Sequence, residues 1–141
     1  MAVRFIPDEI VLLVHADLIR RYGGQAGIRD RGLLSSALAQ PQMTGGGKSL
    51  HKTIFDKAAA YGFHVCRNHP FVDGNKRVAF VLMDIFLRRN GYELAACEDE
   101  AYVIMMALAD GRLTKLQLTA WLKDKSKPIN RKAGRPGSQE A

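Results

Sequence analysis

Apolar residues recur every three or four positions along most of this chain, which is the spacing of one face of an α-helix. The first predicted helix follows Pro7 and stops at Gly23, because proline suits a first helical turn and glycine suits a helix end. A second, shorter helix stops before Pro41, and a third covers residues 50–68. The first half of the chain is therefore predicted to be helical.

The stretch predicted as a helix over residues 75–90 is apolar in almost every direction around its axis. A helix of this kind is usually buried on all sides, so we place it at the centre of the domain. Two further helices are predicted over residues 98–109 and 114–124, and the strand candidate is residues 92–94. The predicted fold class is all-α, a single compact domain of about six helices around a buried central helix.

The last part of the chain, residues 125–141, lacks apolar periodicity and carries much of the charge. Five basic side chains against one acidic side chain place +4 of the net charge of +7 there. We therefore predict a folded domain over residues 1–124 and a basic, disordered tail over residues 125–141. The mildly basic domain suits a phosphate-bearing ligand or an acidic protein partner.

The chain has no apolar run near the roughly 20 residues needed to span a bilayer, and acidic and proline residues interrupt its N-terminus. We therefore expect a cytoplasmic protein with no membrane partner. Cys66 and Cys97 lie among apolar residues and are predicted as buried thiols. The histidines and cysteines show no zinc-ligand spacing, so His15 and His64 are interpreted as structural residues.

The segment HPFVDGNKR at residues 69–77 brings chemically active side chains together. His69 is a candidate proton acceptor near neutral pH. Asp73 can hold a divalent cation with hard oxygen ligands. Either residue alone fits a plain loop that ends one helix, with Asp73 capping the next.

The second half of the same segment opens the predicted central helix. The backbone N–H groups from Gly74 and Asn75 onward are unpaired in a first helical turn and favour an anion. Lys76 and Arg77 add two cations at the same place. With the base and the metal ligand, this set favours phosphoryl or nucleotidyl transfer, although each cation alone fits a solvated side chain.

The segment resembles the signature of the Fic/Doc family, His-x-Phe-x-(Asp/Glu)-(Gly/Ala)-Asn-(Gly/Lys)-Arg. The fixed positions are filled by His69, Phe71, Asp73, Gly74, Asn75, Lys76 and Arg77. IRDRGLLSSALAQPQ at residues 28–42 resembles the segment leading into the family's target-docking flap, and FLRRNGYEL at residues 86–94 resembles its exit from the central helix. The resemblance covers about Phe5 to Leu122.

The resemblance implies a role for each motif position. His69 would be the general base that takes a proton from a hydroxyl of the target protein, and Phe71 would be a structural anchor. Asp73 would bind the Mg²⁺ that bridges the phosphates of ATP, the nucleotide substrate. The amides from Gly74 onward would form the anion hole, and Arg77 would hold a phosphate.

Two positions resemble one branch of the family more than another. AMP-transferring members carry glycine where Lys76 stands and usually a second arginine where Phe80 stands. Both features resemble the Doc (death on curing) branch, whose members transfer the γ-phosphoryl group of ATP to a threonine of elongation factor Tu. The resemblance thus implies a protein kinase, with a Fic-type adenylyltransferase as the alternative. A catalytically idle module that binds an antitoxin or nucleic acid is the further alternative.

The segment at residues 41–49 is predicted to be a flexible loop. It is not a P-loop, because Gln42 stands where that motif needs a glycine. Gln42, Met43 and Thr44 are candidates for a flap that docks the target, although a plain surface loop fits equally well.

Many Fic proteins inhibit themselves through a helix bearing (Ser/Thr)-x-x-x-Glu-(Gly/Asn). No glutamate in this sequence follows a serine or threonine at that spacing. The resemblance then implies restraint by a separate Phd-type antitoxin, with nucleic acid bound only indirectly, through the antitoxin complex.

Overall fold

Six α-helices and two small sheets make up the computed structural model, which describes residues 2–129. The helices are α1 (Asp8–Tyr22), α2 (Arg31–Ala39), α3 (Ile54–Asn68), α4 (Asn75–Arg89), α5 (Glu98–Ala109) and α6 (Lys115–Lys125). The strands are β1 (Thr44–Gly45), β2 (Lys48–Ser49), β3 (Tyr92–Leu94) and β4 (Ser126–Pro128). The predicted helical fold class is confirmed. Among the described residues, no helix is long and apolar enough to cross a membrane.

α4 occupies the centre of the domain and packs against α1, α3, α5 and β3. α3 packs tightly on α4 at Gly62, where a Cβ atom would overlap the Met83 Sδ atom. The predicted central position is therefore confirmed. The predicted burial of α4 on every side is not confirmed, because Phe80 and Val81 are only half-buried and line a cavity. The fully buried side chains of α4 are Val78, Ala79, Leu82, Met83, Phe86 and Leu87.

Capping interactions set where the helices begin. The Thr53 side chain accepts from the Asp56 N–H at 3.0 Å and the Asp56 carboxylate accepts from the Thr53 N–H at 3.0 Å. This capping box starts α3 at Ile54, so the predicted start at residue 50 was too early. Cys66 is buried as predicted, whereas Cys97 is exposed because it precedes the first turn of α5 at the surface.

The beginning of the predicted tail is ordered. α6 continues through Lys125, whose Nζ lies 3.1 Å from a Glu100 carboxylate oxygen. Residues 126–128 then form β4, which pairs antiparallel with β3. The predicted boundary after residue 124 is therefore wrong for residues 125–129, because a strand partner distant in sequence supplies their hydrogen bonds. Residues 130–141, the rest of the predicted tail, lie outside the described residues.

The predicted loop over residues 41–49 contains a hairpin. β1 pairs antiparallel with β2, and the chain turns through Gly46 and Gly47, whose φ angles are 58° and 79°. Positive φ at both central residues is the geometry of a tight hairpin turn, which glycine adopts without strain. A 3₁₀ turn over Gln40–Gln42 leads into it.

The contact between α3 and α6 includes a histidine that titrates below its ordinary range. Burial, followed by the charge of Lys115 and then His51, lowers the pKa of His64 to about 4. The Lys115 Nζ atom lies 3.3 Å from His64 Nε2. A proton on His64 is therefore disfavoured in the folded state relative to the unfolded chain.

This titration predicts an acid-sensitive fold. Because the folded pKa of about 4 lies below the ordinary histidine pKa of 6.5, the unfolded chain takes up the proton first. Above about pH 6.5, His64 should not lower the free energy of unfolding. By pH 4 it should lower that free energy by roughly 1–2 kcal/mol, allowing for solvent screening. Urea unfolding at several pH values measures this loss, and His64→Gln should flatten the dependence. An unchanged slope in His64→Gln would contradict the assignment.

Candidate active site

The turn after α3 places His69 in a strained conformation. Its φ of 51° makes it the only non-glycine residue with positive φ among residues 2–129. Arg29 supports it: Nε donates to the His69 carbonyl at 2.7 Å, and Nη2 donates to the Asn68 carbonyl at 3.0 Å. These bonds satisfy carbonyls that a helix end leaves free. The side chain of His69 is exposed and lines a cavity.

The loop between α1 and α2 packs against the motif segment. The Val72 N–H donates to the Gly27 carbonyl at 3.0 Å, and the Arg29 N–H donates to the Pro70 carbonyl at 2.7 Å. Backbone pairing thus fixes the motif segment against a loop that lies more than 40 positions earlier in the chain.

The Asn75 side chain organises the motif from within. It is 6% exposed; Oδ1 accepts from the Phe71 N–H at 2.9 Å, and Nδ2 donates to the Phe71 carbonyl at 2.9 Å. These two bonds fix which amide atom faces His69, so Nδ2, 2.6 Å from His69 Nδ1, is the donor in that contact. The neutral imidazole that accepts there carries its own proton on Nε2. At the head of α4, the Asn75 backbone N–H has no intrahelical acceptor, while its side chain contacts Phe71 and His69.

Asp73 is exposed, and its carboxylate is held at the start of α4. Oδ1 accepts from the Gly74 N–H at 2.9 Å, and Oδ2 accepts from the Gln25 N–H at 3.1 Å. An ionised carboxylate has about four lone-pair positions, so both oxygens keep capacity for a cation. No group of three or more His, Cys, Asp or Glu side chains that could hold a metal occurs in the described part of the chain. The free lone pairs of this exposed carboxylate fit Mg²⁺, which proteins hold through one or two carboxylates with water or phosphate oxygens as the other ligands.

Aromatic side chains of α1 contact the motif. His15, which is buried, stacks on Phe71 with ring centroids 3.9 Å apart. The Arg77 guanidinium carbon lies 4.3 Å from the centroid of the Tyr22 ring, a cation–π distance. Phe71 is fully buried. The motif alone does not point to His15 or Tyr22.

A cavity of about 910 Å³ lies beside the motif. Its volume is in the range of small-molecule and cofactor sites. The motif residues that line it are His69, Asp73, Gly74, Asn75, Lys76 and Arg77. Arg67, in the last turn of α3, adds a third cation that sequence reasoning had not singled out, whereas Glu98 and Asp99 supply negative charge from α5. The candidate flap residues Gln42, Met43 and Thr44 are exposed and do not line this cavity.

The chain is similar to a known protein family and to two known relatives. The model of the Fic/DOC family matches residues 5–87. The chain is 47% identical over 75 residues to "Toxin Doc" of Mycolicibacterium smegmatis, covering 53% of this chain and 58% of that protein. It is 33% identical over 92 residues to "Protein kinase doc" of Escherichia phage P1, covering 65% of this chain and 72% of that protein. The family match spans α1 through most of α4, including the whole motif, and the chain belongs to the Fic/DOC family.

Proposed function

We propose that this chain is a Doc-type toxin that transfers the γ-phosphoryl group of ATP to a threonine or serine hydroxyl of a translation factor such as elongation factor Tu. The observation that carries the proposal is the single cavity in which an imidazole, a carboxylate, cations and a helix N-terminus meet. The relatives named "Toxin Doc" and "Protein kinase doc" support the same choice.

The phosphates would bind at the N-terminus of α4. The N–H groups of Asn75, Lys76 and Arg77 occupy the first helical turn, where no intrahelical acceptor exists. The positive end of the helix dipole and the two exposed cationic side chains add to the attraction for an anion. Arg67 extends the cationic lining toward α3.

Asp73 would hold Mg²⁺ beside the phosphates, since its exposed carboxylate has free lone pairs next to the anion site. The ion would neutralise charge on the phosphoryl oxygens. The protein's own part is to fix the carboxylate through the Gly74 and Gln25 N–H groups.

His69 would accept the proton of the attacking hydroxyl. The hydroxyl oxygen forms a bond to the γ-phosphorus, the bond from that phosphorus to the β–γ bridging oxygen breaks, and ADP leaves. In the free enzyme the neutral ring carries its proton on Nε2, so it becomes a base only after it leaves the Asn75 contact. Catalytic hydrogen bonds often reach their working geometry only when substrates are bound.

Lys76 and Phe80 favour phosphoryl over AMP transfer. Lys76 projects from the first turn of α4, and Phe80 lines the same cavity one turn later. An apolar ring at Phe80 offers no second phosphate clamp there. We further propose that the toxin arrests growth in the cytoplasm. A Phd-type antitoxin would inhibit it by binding as a separate chain.

Labelled ATP tests the transferred group. The protein is incubated with elongation factor Tu and ATP labelled on either the α- or the γ-phosphate. Label from the γ position on the target supports the kinase, and label retained from the α position indicates AMP transfer instead. If neither label is transferred and the double variant His69→Ala, Asp73→Ala still arrests growth, the chain is a binding module.

A glycine pair provides a matched test of the Asp73 position. A Cβ at Gly24 would lie 2.7 Å from Asp73 Oδ2, whereas a Cβ at Gly23 would have nothing within 4 Å. Both have positive φ, 108° and 84°, so either alanine should cost roughly 1–2 kcal/mol of stability. Only Gly24→Ala should also displace the carboxylate and lower the transfer rate, by about tenfold or more. Equal rates in the two variants at equal stability would contradict this role for Gly24.

A further inference from the structure

A buried histidine on α1 lies directly behind the motif. His15 is 5% exposed, and its ring stacks on Phe71 with an angle of 10° between the planes. His15 Nε2 lies 2.9 Å from the carbonyl oxygen of Asp73. A carbonyl oxygen only accepts, so the imidazole N–H is the donor.

This hydrogen bond fixes a whole peptide unit. The Asp73 carbonyl and the Gly74 N–H belong to the same peptide group, which is planar, so holding the oxygen also sets the direction of the N–H. That N–H donates to Asp73 Oδ1 at 2.9 Å. His15 thus acts on one side of the peptide and the Asp73 carboxylate lies on the other.

The same peptide begins α4. Gly74 is its N-cap residue, with φ of 81°, and the next N–H groups are those of the anion site. Glycine adopts this conformation without steric strain, so the backbone alone defines it weakly. The hydrogen bond from His15, whose ring is held in place by packing, restricts this peptide to one orientation.

We propose that His15 is a positioning residue for the transfer reaction, which orients the Asp73–Gly74 peptide and through it the Asp73 carboxylate and the first amides of α4. This inference rests on the proposed function for its effect on rate. The orientation of the Asp73–Gly74 peptide by His15 concerns only the free protein and does not depend on that function.

A purely structural role makes a different prediction. Stacking on Phe71 needs an aromatic or apolar side chain, and an imidazole there must have a hydrogen-bond partner to offset its desolvation. If packing were its only task, a phenylalanine at this position would serve as well. A positioning role instead requires the donor.

The experiment compares three variants of the full chain. His15→Phe keeps the ring stack and removes the donor, His15→Gln restores a donor, and Leu13→Ala changes a residue of α1 that is 65% exposed. The readouts are the melting temperature, the Gly74 amide resonance in a ¹H–¹⁵N NMR spectrum, and kcat and KM with labelled ATP. His15→Met replaces His15→Phe should the latter not fold.

We expect the Gly74 amide to shift in His15→Phe, to move back toward wild type in His15→Gln and to stay in place in Leu13→Ala. In His15→Phe, kcat should fall by about tenfold to a hundredfold, the usual cost of losing an orienting partner, with a smaller change in KM for ATP. His15→Gln should recover part of kcat.

An unmoved Gly74 amide in His15→Phe overturns the proposal, as does a loss of kcat that follows the loss of stability alone. If the wild-type protein transfers no phosphoryl group but the Gly74 amide responds as expected, the proposed function fails while the positioning of the peptide is supported.

Discussion

Replacing His69 by asparagine is expected to lower the rate of phosphoryl transfer by about 10²–10⁴-fold while leaving the fold intact. Asparagine tolerates the left-handed φ of 51° better than most residues, so the substitution adds little backbone strain. The Arg29 bonds reach backbone carbonyls and do not depend on the imidazole. The carboxamide cannot accept the hydroxyl proton, so under the proposed function only the chemical step should lose its base.

Initial rates with γ-labelled ATP measure the loss, and calorimetric titration with ATP tests whether nucleotide binding survives. His51→Asn is a suitable control, because His51 does not line the cavity. The control should keep wild-type rates. Transfer by His69→Asn within about threefold of wild type would mean that positioning and charge alone drive the reaction, as a loose phosphoryl-transfer transition state permits.

The helical fold could be predicted because its signals are local. α1 begins after Pro7 and ends before Gly23, as expected. A capping box formed by Thr114 and Gln117 starts α6. The order of residues 126–128 could not be predicted, because it depends on pairing with β3, more than 30 positions earlier. Short strands of this kind have no periodicity of their own.

The site also has a part that the sequence predicts and a part that it does not. The motif is contiguous, so its candidate catalytic and binding residues are visible in nine letters of sequence. The contact from His15 to Asp73 joins residues 58 positions apart, and helix periodicity does not specify such a pair. One signal was present: His15 lies one turn from Val11 and from Leu18, both buried on α1. A histidine on a buried face needs a hydrogen-bond partner, and that need identifies it as a candidate.

Removal of the Asn75 side chain is expected to cost both stability and activity. Asn75→Ala leaves the N–H and carbonyl of Phe71 without their partners in a buried environment. Each unpaired group costs on the order of 1–3 kcal/mol, so the loss of two partners should lower the free energy of unfolding by about 2–6 kcal/mol. Urea unfolding measures the change. A loss below about 1 kcal/mol would mean that water replaces the amide.

Asn75→Asp keeps the bond from the Phe71 N–H, loses the donor to the Phe71 carbonyl and changes the group that faces His69. One carboxylate oxygen can still accept from the Phe71 N–H, but the other faces His69 Nδ1 and cannot donate. The neutral imidazole should therefore move its proton from Nε2 to Nδ1, which ¹⁵N NMR of the ring detects. This tautomer leaves Nε2 free to act as a base. If His69 is the base, Asn75→Asp should transfer phosphoryl faster than Asn75→Ala at equal folded fraction. Equal rates, with the proton shown on Nδ1, would instead mean that the resting tautomer does not limit the reaction.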